Sequence, residues 1–123
     1  MFEFWIEGGL PTLNEYTKVS RGNKYASAGM KKDAEEKIMF EIALSGTGEF
    51  TPPAFITFEW HEKNKRRDKD NVCFAKKFIL DALQKSRILK DDGNKYISGF
   101  KDVFVYEKKQ GVKVTITGDE GEA

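Results

Sequence analysis

Between residues 54 and 83 the period of the apolar residues changes from two to about four. Ala54, Ile56, Phe58 and Trp60 alternate with Phe55, Thr57, Glu59 and His61. That pattern calls for a strand, introduced by Pro52-Pro53. Val72, Ala75, Ile79, Ala82 and Leu83 recur at three- and four-residue spacings, which marks one face of a helix over about 69–86. A strand feeding a helix after a short polar link must bury both apolar faces in one core.

The flanking segments extend this reading. Phe2, Phe4 and Ile6 share one side of a first strand, which Gly8-Gly9-Leu10-Pro11 ends. Residues 15–29 have weak periodicity and read as a mobile basic loop with Lys18, Arg21 and Lys24. Ala34, Ile38 and Ile42 place a helix over 30–45, stopped by Gly46 and Gly48. Residues 97–106 and 111–117 read as a hairpin turning at 108–111. The expected order is β-α-β-α-β-β. The expected class is α+β, a two-layer mixed sheet with two helices on one face. One domain spans 1–118, and residues 119–123 form an acidic, frayed tail.

The link between strand and helix carries the chemistry. It runs Lys63-Asn64-Lys65-Arg66-Arg67-Asp68-Lys69-Asp70-Asn71. The helix brings Lys76, Lys77 and Asp81, and the stretch closes on Asp91-Asp92. Residues 61–95 hold eleven Lys/Arg and six Asp/Glu, although the whole chain is only +1. A phosphate backbone feels such a local surplus within a Debye length. Interleaved cations and carboxylates suit an enzyme that grips a polyanion and cuts it with a divalent metal. The plainer alternative is that Asp68 and Asp70 are acidic caps of a surface helix.

Other site classes fit poorly. From Asp68, the sixth position of an EF-hand loop is Cys73 rather than Gly, and the twelfth is Ile79 rather than Glu. One Cys and one His are too few for the usual zinc sets. Local spacing lends no support to a nucleophilic site built on His61 and Cys73. No run approaches a membrane span, and Met1-Phe2-Glu3-Phe4-Trp5 lacks the start of a signal peptide. One cysteine cannot form an internal bridge, so the expected location is cytoplasmic.

Arg66-Arg67-Asp68-Lys69-Asp70-Asn71, a helix ending Asp81-Ala82-Leu83, and then Asp91-Asp92 resemble the core motif of the RusA family of Holliday-junction resolvases. Pro11-Thr12-Leu13-Asn14 resembles that family's early P-x-x-N element. The resemblance implies a small dimeric Mg²⁺-dependent endonuclease that resolves four-way DNA junctions by paired nicks. It implies Asp68, Asp70 and Asp92 as the catalytic, metal-holding carboxylates. The helix is longer than in the family pattern. A lysine counted on from Asp70 falls at Phe74, and one counted back from Asp81 falls at Lys77. If Asp70 opens the helix, Lys77 and Asp81 return to the Asp70 side and Lys76 turns about a hundred degrees away from Lys77. Lys77 is therefore the expected functional lysine. Lys65, Arg66, Arg67 and Lys76 are expected on DNA phosphates, with Asn14, Lys18, Arg21 and Lys24 from the early segment. The alternatives are a non-catalytic nucleic-acid-binding module, or a structural protein whose acidic pairs are caps.

Overall fold

A computed structural model describes residues 1–118. The expected acidic tail, 119–123, lies outside the described residues. The elements run β1 (Phe2–Glu7), α1 (Leu13–Gly22), α2 (Lys24–Ser45), β2 (Thr47–Gly48), β3 (Ala54–Glu62), α3 (Lys69–Cys73), α4 (Lys76–Lys85), β4 (Ile97–Tyr106) and β5 (Gly111–Thr117). The fold is α+β, as expected, with helices packed on an open mixed sheet.

The sheet order is β2-β1-β5-β3-β4. Only the β3–β4 pair is parallel. Register aligns the alternating apolar residues: Phe4 faces Val114, and Val114 faces Phe58. One face of the sheet therefore carries Phe4, Ile6, Ile56, Phe58, Trp60, Val112, Val114 and Ile116, all buried. Helix residues Ala34, Ile38, Ile42, Phe78, Ile79, Ala82 and Leu83 complete that core.

Three expectations need correction. Residues 15–29 are helical rather than a loop. Thr12 Oγ1 accepts from the Glu15 N–H at 3.2 Å, and Glu15 Oε1 accepts from the Thr12 N–H at 3.4 Å. This reciprocal capping box starts α1 at a segment of weak apolar period. Asn23, extended, then ends α1 through its N–H to the Val19 carbonyl and starts α2 by accepting from Tyr25 N.

The expected hairpin is also replaced. β4 and β5 are not neighbours, because β3 lies between them. Their connection crosses the end of β3. Glu107 N donates to the Glu62 carbonyl at 2.9 Å, and Gln110 Nε2 donates to Glu62 Oε2 at 3.2 Å. Spanning two strand spacings takes about 10 Å, which four residues can reach.

The motif helix is interrupted. α3 stops at Cys73 and α4 begins at Lys76. Tighter i→i−3 bonds carry the chain through the break: Ala75 N to Val72 O, Lys77 N to Phe74 O, and Phe78 N to Ala75 O. Phe74 packs against Tyr16 of α1 and Phe78 of α4, both at 5.5 Å. A hundred-degree separation of Lys76 from the Asp70 side requires an unbroken helix and does not carry across this turn.

Candidate active site

The acidic motif sits where β3 gives way to α3. Asp68 occupies the N-cap position of α3, yet its side chain makes no capping hydrogen bond. Asp70 lies in the first turn. Both are exposed, and neither carboxylate has a partner among the described residues. Neither Asp side chain makes a capping hydrogen bond to α3.

Asp91 and Asp92 differ. Asp91 Oδ1 accepts from the Asp92 N–H at 2.7 Å and from Gln84 Nε2 at 3.4 Å, which ties the loop to α4. The Asp92 carboxylate is exposed and uncommitted among the described residues. Asp91 holds the turn, and the Asp92 side chain takes no part in holding it among the described residues.

Asn71 anchors the motif to the early segment. Its Oδ1 accepts from the Asn14 N–H at 2.8 Å. That N–H belongs to the first turn of α1, where backbone donors lack helical partners. Asn14, Lys18 and Arg21 follow at i, i+4 and i+7, so they share one exposed face of α1. Lys24 begins α2, with its ammonium over the Tyr25 ring at 5.4 Å.

The cations of the link divide into two groups. Arg66 is exposed, and its N–H closes a turn on Asn64 Oδ1 at 2.9 Å. Lys65 lies over the Tyr106 ring at 5.2 Å. Arg67 is turned inward. Its Nε lies 3.0 Å from Glu62 Oε1, a carboxylate whose side chain is 7% exposed, and its Nη2 reaches the Leu10 carbonyl at 3.5 Å. The Nε–H is not aligned for a hydrogen bond, so this contact is an ion pair.

The two lysines of α4 separate just as clearly. Lys76 Nζ is 2.8 Å from Asp102 Oδ2 and lies over the Phe58 and Phe100 rings at 5.2 and 4.9 Å. Asp102 Oδ1 also accepts from Trp60 Nε1 at 2.9 Å. Lys76 thus clamps α4 to the sheet. Lys77 is exposed and has no side-chain partner among the described residues. A cation that sequence reasoning passed over is Lys69, whose ammonium lies over Phe104 and Tyr106 at 5.5 and 5.8 Å.

His61 and Cys73 do not meet. His61 is held between Glu107 at Nδ1 (2.5 Å) and Glu59 at Nε2 (2.7 Å), with Trp5 edge-on at 5.0 Å. These partners lie on the sheet face away from the helices. Burial, and then Asp102, push the Cys73 thiol above its ordinary range, which disfavours a thiolate nucleophile.

No family model matches the chain, and no curated protein matches it.

The oxygen donors of Asp68, Asp70 and Asp92 are of the kind Mg²⁺ takes, usually one or two carboxylates completed by water and phosphate. Among the described residues no three His, Cys, Asp or Glu side chains stand grouped to hold a metal. Asp68 and Asp70 are brought to one short element. Asp92 arrives on a separate loop.

Proposed function

We propose that this chain is a Mg²⁺-dependent endodeoxyribonuclease of the RusA type, which resolves four-way DNA junctions by paired nicks. The observation that carries the reading is the pair of uncommitted carboxylates, Asp68 and Asp70, set among Lys65, Arg66 and Lys69. Carboxylates facing a polyanion repel it, and a nucleic-acid binder gains nothing from keeping two unpaired there. A metal-dependent nuclease needs them.

Asp68, Asp70 and Asp92 would hold the metal. Bound Mg²⁺ lowers the pKa of its water and offsets charge on the leaving oxygen. Lys77, exposed at the surface and without a side-chain partner among the described residues, would supply a positive charge to the phosphorus centre as negative charge builds there. Arg66 with the Lys18 and Arg21 face of α1 would hold flanking phosphates, giving affinity without base specificity. A junction has two-fold symmetry, so two equivalent nicks call for a C2 dimer.

A second reading, a non-catalytic nucleic-acid-binding module, draws on the ungrouped carboxylates. The experiment that decides is incubation with a labelled four-way junction and Mg²⁺, beside a plain duplex and beside EDTA. Symmetric nicks on the junction alone, lost with EDTA, are expected. Binding without cutting would favour the module.

A further inference from the structure

A cavity of about 490 Å³ opens between the β1–α1 loop and the first half of α2. Its walls are mostly apolar and small, with Leu10, Ala26, Gly29 and Ala34 among them. Two charged residues, Asp33 and Lys37, also line it. They stand four apart on α2 yet form no ion pair with each other. Lys37 Nζ instead lies 3.5 Å from the Gly9 carbonyl. The Asp33 carboxylate has no partner among the described residues. The hollow is open, with Asp33 and Lys37 both exposed at its rim, and its volume falls in the range of small-ligand sites.

The position narrows the ligand. Leu10, a wall of the cavity, accepts from Arg67 through its carbonyl, and Asn14 on the same segment donates to Asn71. Arg67 and Asn71 bracket Asp68 and Asp70. Two hydrogen bonds thus tie the β1–α1 segment that walls the cavity to the residues on either side of the two aspartates.

We propose that the cavity takes a single unstacked nucleobase that carries an exocyclic amine. The flat faces of the base would pack on the small side chains. A carboxylate only accepts hydrogen bonds, so Asp33 would favour the amino group of cytosine, adenine or guanine. Thymine has no exocyclic amine, and its one ring donor, N3–H, is flanked by two carbonyl oxygens that the carboxylate repels. Lys37 would donate to a ring acceptor of the same base. Which strand delivers the base rests on the nuclease reading above, whereas the selectivity of the cavity does not.

The test is a titration of the isotope-labelled full chain with dCMP, dAMP, dGMP, dTMP and inorganic phosphate, followed through backbone amide resonances. The three amino-bearing nucleotides should shift the Gly9, Ala26 and Gly29 amides saturably, with dTMP roughly tenfold weaker or more. Gly29 lines the cavity and a Cβ there meets nothing within 4 Å, so Gly29→Leu should place apolar bulk in the ligand's space. A helical position that loses glycine should also hold its Tm or raise it. This variant should abolish the shifts, and Asp33→Asn should erase the preference over dTMP. Equal response to dTMP, response to phosphate alone, or shifts that survive Gly29→Leu would each overturn the proposal. The titration needs neither metal nor cleavage. Junction cutting without base binding sinks only this inference, and base binding without junction cutting sinks only the nuclease reading.

Discussion

Asn71 accepts a hydrogen bond from the backbone of Asn14 at 2.8 Å, across 57 residues of chain. Through this bond the acidic motif and the first turn of α1 are held as one unit. Asn71→Ala leaves that N–H without its acceptor and should cost about 1 kcal/mol in chemical denaturation, as loss of a helix cap does. Asn71→Asp keeps an acceptor and should recover most of that. Equal destabilisation by both substitutions would mean that the bond contributes nothing.

Asp70→Asn should lower junction cleavage roughly hundredfold or more, while binding is kept or tightened. The change removes a candidate metal ligand and also a repulsion toward phosphate. Gel-shift and cleavage assays on the same protein separate the two. Loss of binding together with loss of folding would assign Asp70 to structure instead.

Lys76 and Lys77 should behave oppositely. Lys76→Ala breaks the pair with Asp102 and should cost about 1–3 kcal/mol of stability. Lys77→Ala should change stability by less than about 0.5 kcal/mol. It should slow single-turnover cleavage far more than it weakens binding. A large rate loss confined to Lys76→Ala would reverse the assignment.

Arg66 and Arg67 should separate as well. Arg66→Ala should reduce the log–log salt slope of binding by about 0.9 if it meets one phosphate of a duplex arm. Arg67→Ala leaves Glu62 buried without its cation and should lower Tm while barely changing that slope. An unchanged slope for Arg66→Ala would take it off the DNA surface.

The Lys85–Glu35 pair gives a pH-dependent test. Lys85 Nζ lies 2.5 Å from Glu35 Oε2, and the Glu35 side chain is 4% exposed. The Glu35 hydrogen bond raises the Lys85 pKa above its ordinary value. The stability from this raised value is therefore fully present below the ordinary lysine pKa and is lost as pH rises through the folded one. The Lys85 side chain is itself 57% exposed and screened by solvent, so Lys85→Met should cost about 1 kcal/mol near neutral pH and remove that alkaline loss. Adding Glu35→Met should restore much of the stability. An alkaline profile identical in wild type and Lys85→Met would refute the coupling.

The strands and the apolar face were readable because Phe2, Phe4 and Ile6, like Ala54 through Trp60, alternate without interruption. Their neighbours were not. Alternation says which face a residue takes but not which strand lies beside it, so β3 between β4 and β5 had no signature. α1 did have one, the Thr12–Glu15 spacing of a capping box, hidden behind a segment of weak apolar period. The break at Phe74-Ala75 contains neither Gly nor Pro, so nothing local announced it. In the candidate site, residue types and spacing named Asp68, Asp70 and the Asp91-Asp92 pair. That Arg67 turns in to Glu62 and Lys76 to Asp102 depends on tertiary partners 5 and 26 residues away.

The sheet order also sets a timetable. β5 pairs with β1 on one side and β3 on the other, with Phe2 opposite Ile116. During synthesis β1 leaves the ribosome before β5 and waits for that strand, more than a hundred residues downstream. At about 5–20 residues per second that wait is on the order of ten seconds. Throughout it, β1 and β3 show open backbone edges, and the acidic motif hangs from a strand whose central neighbour does not yet exist. Completion of the sheet, and of any site built on it, is a late event that arrives with the insertion of one strand.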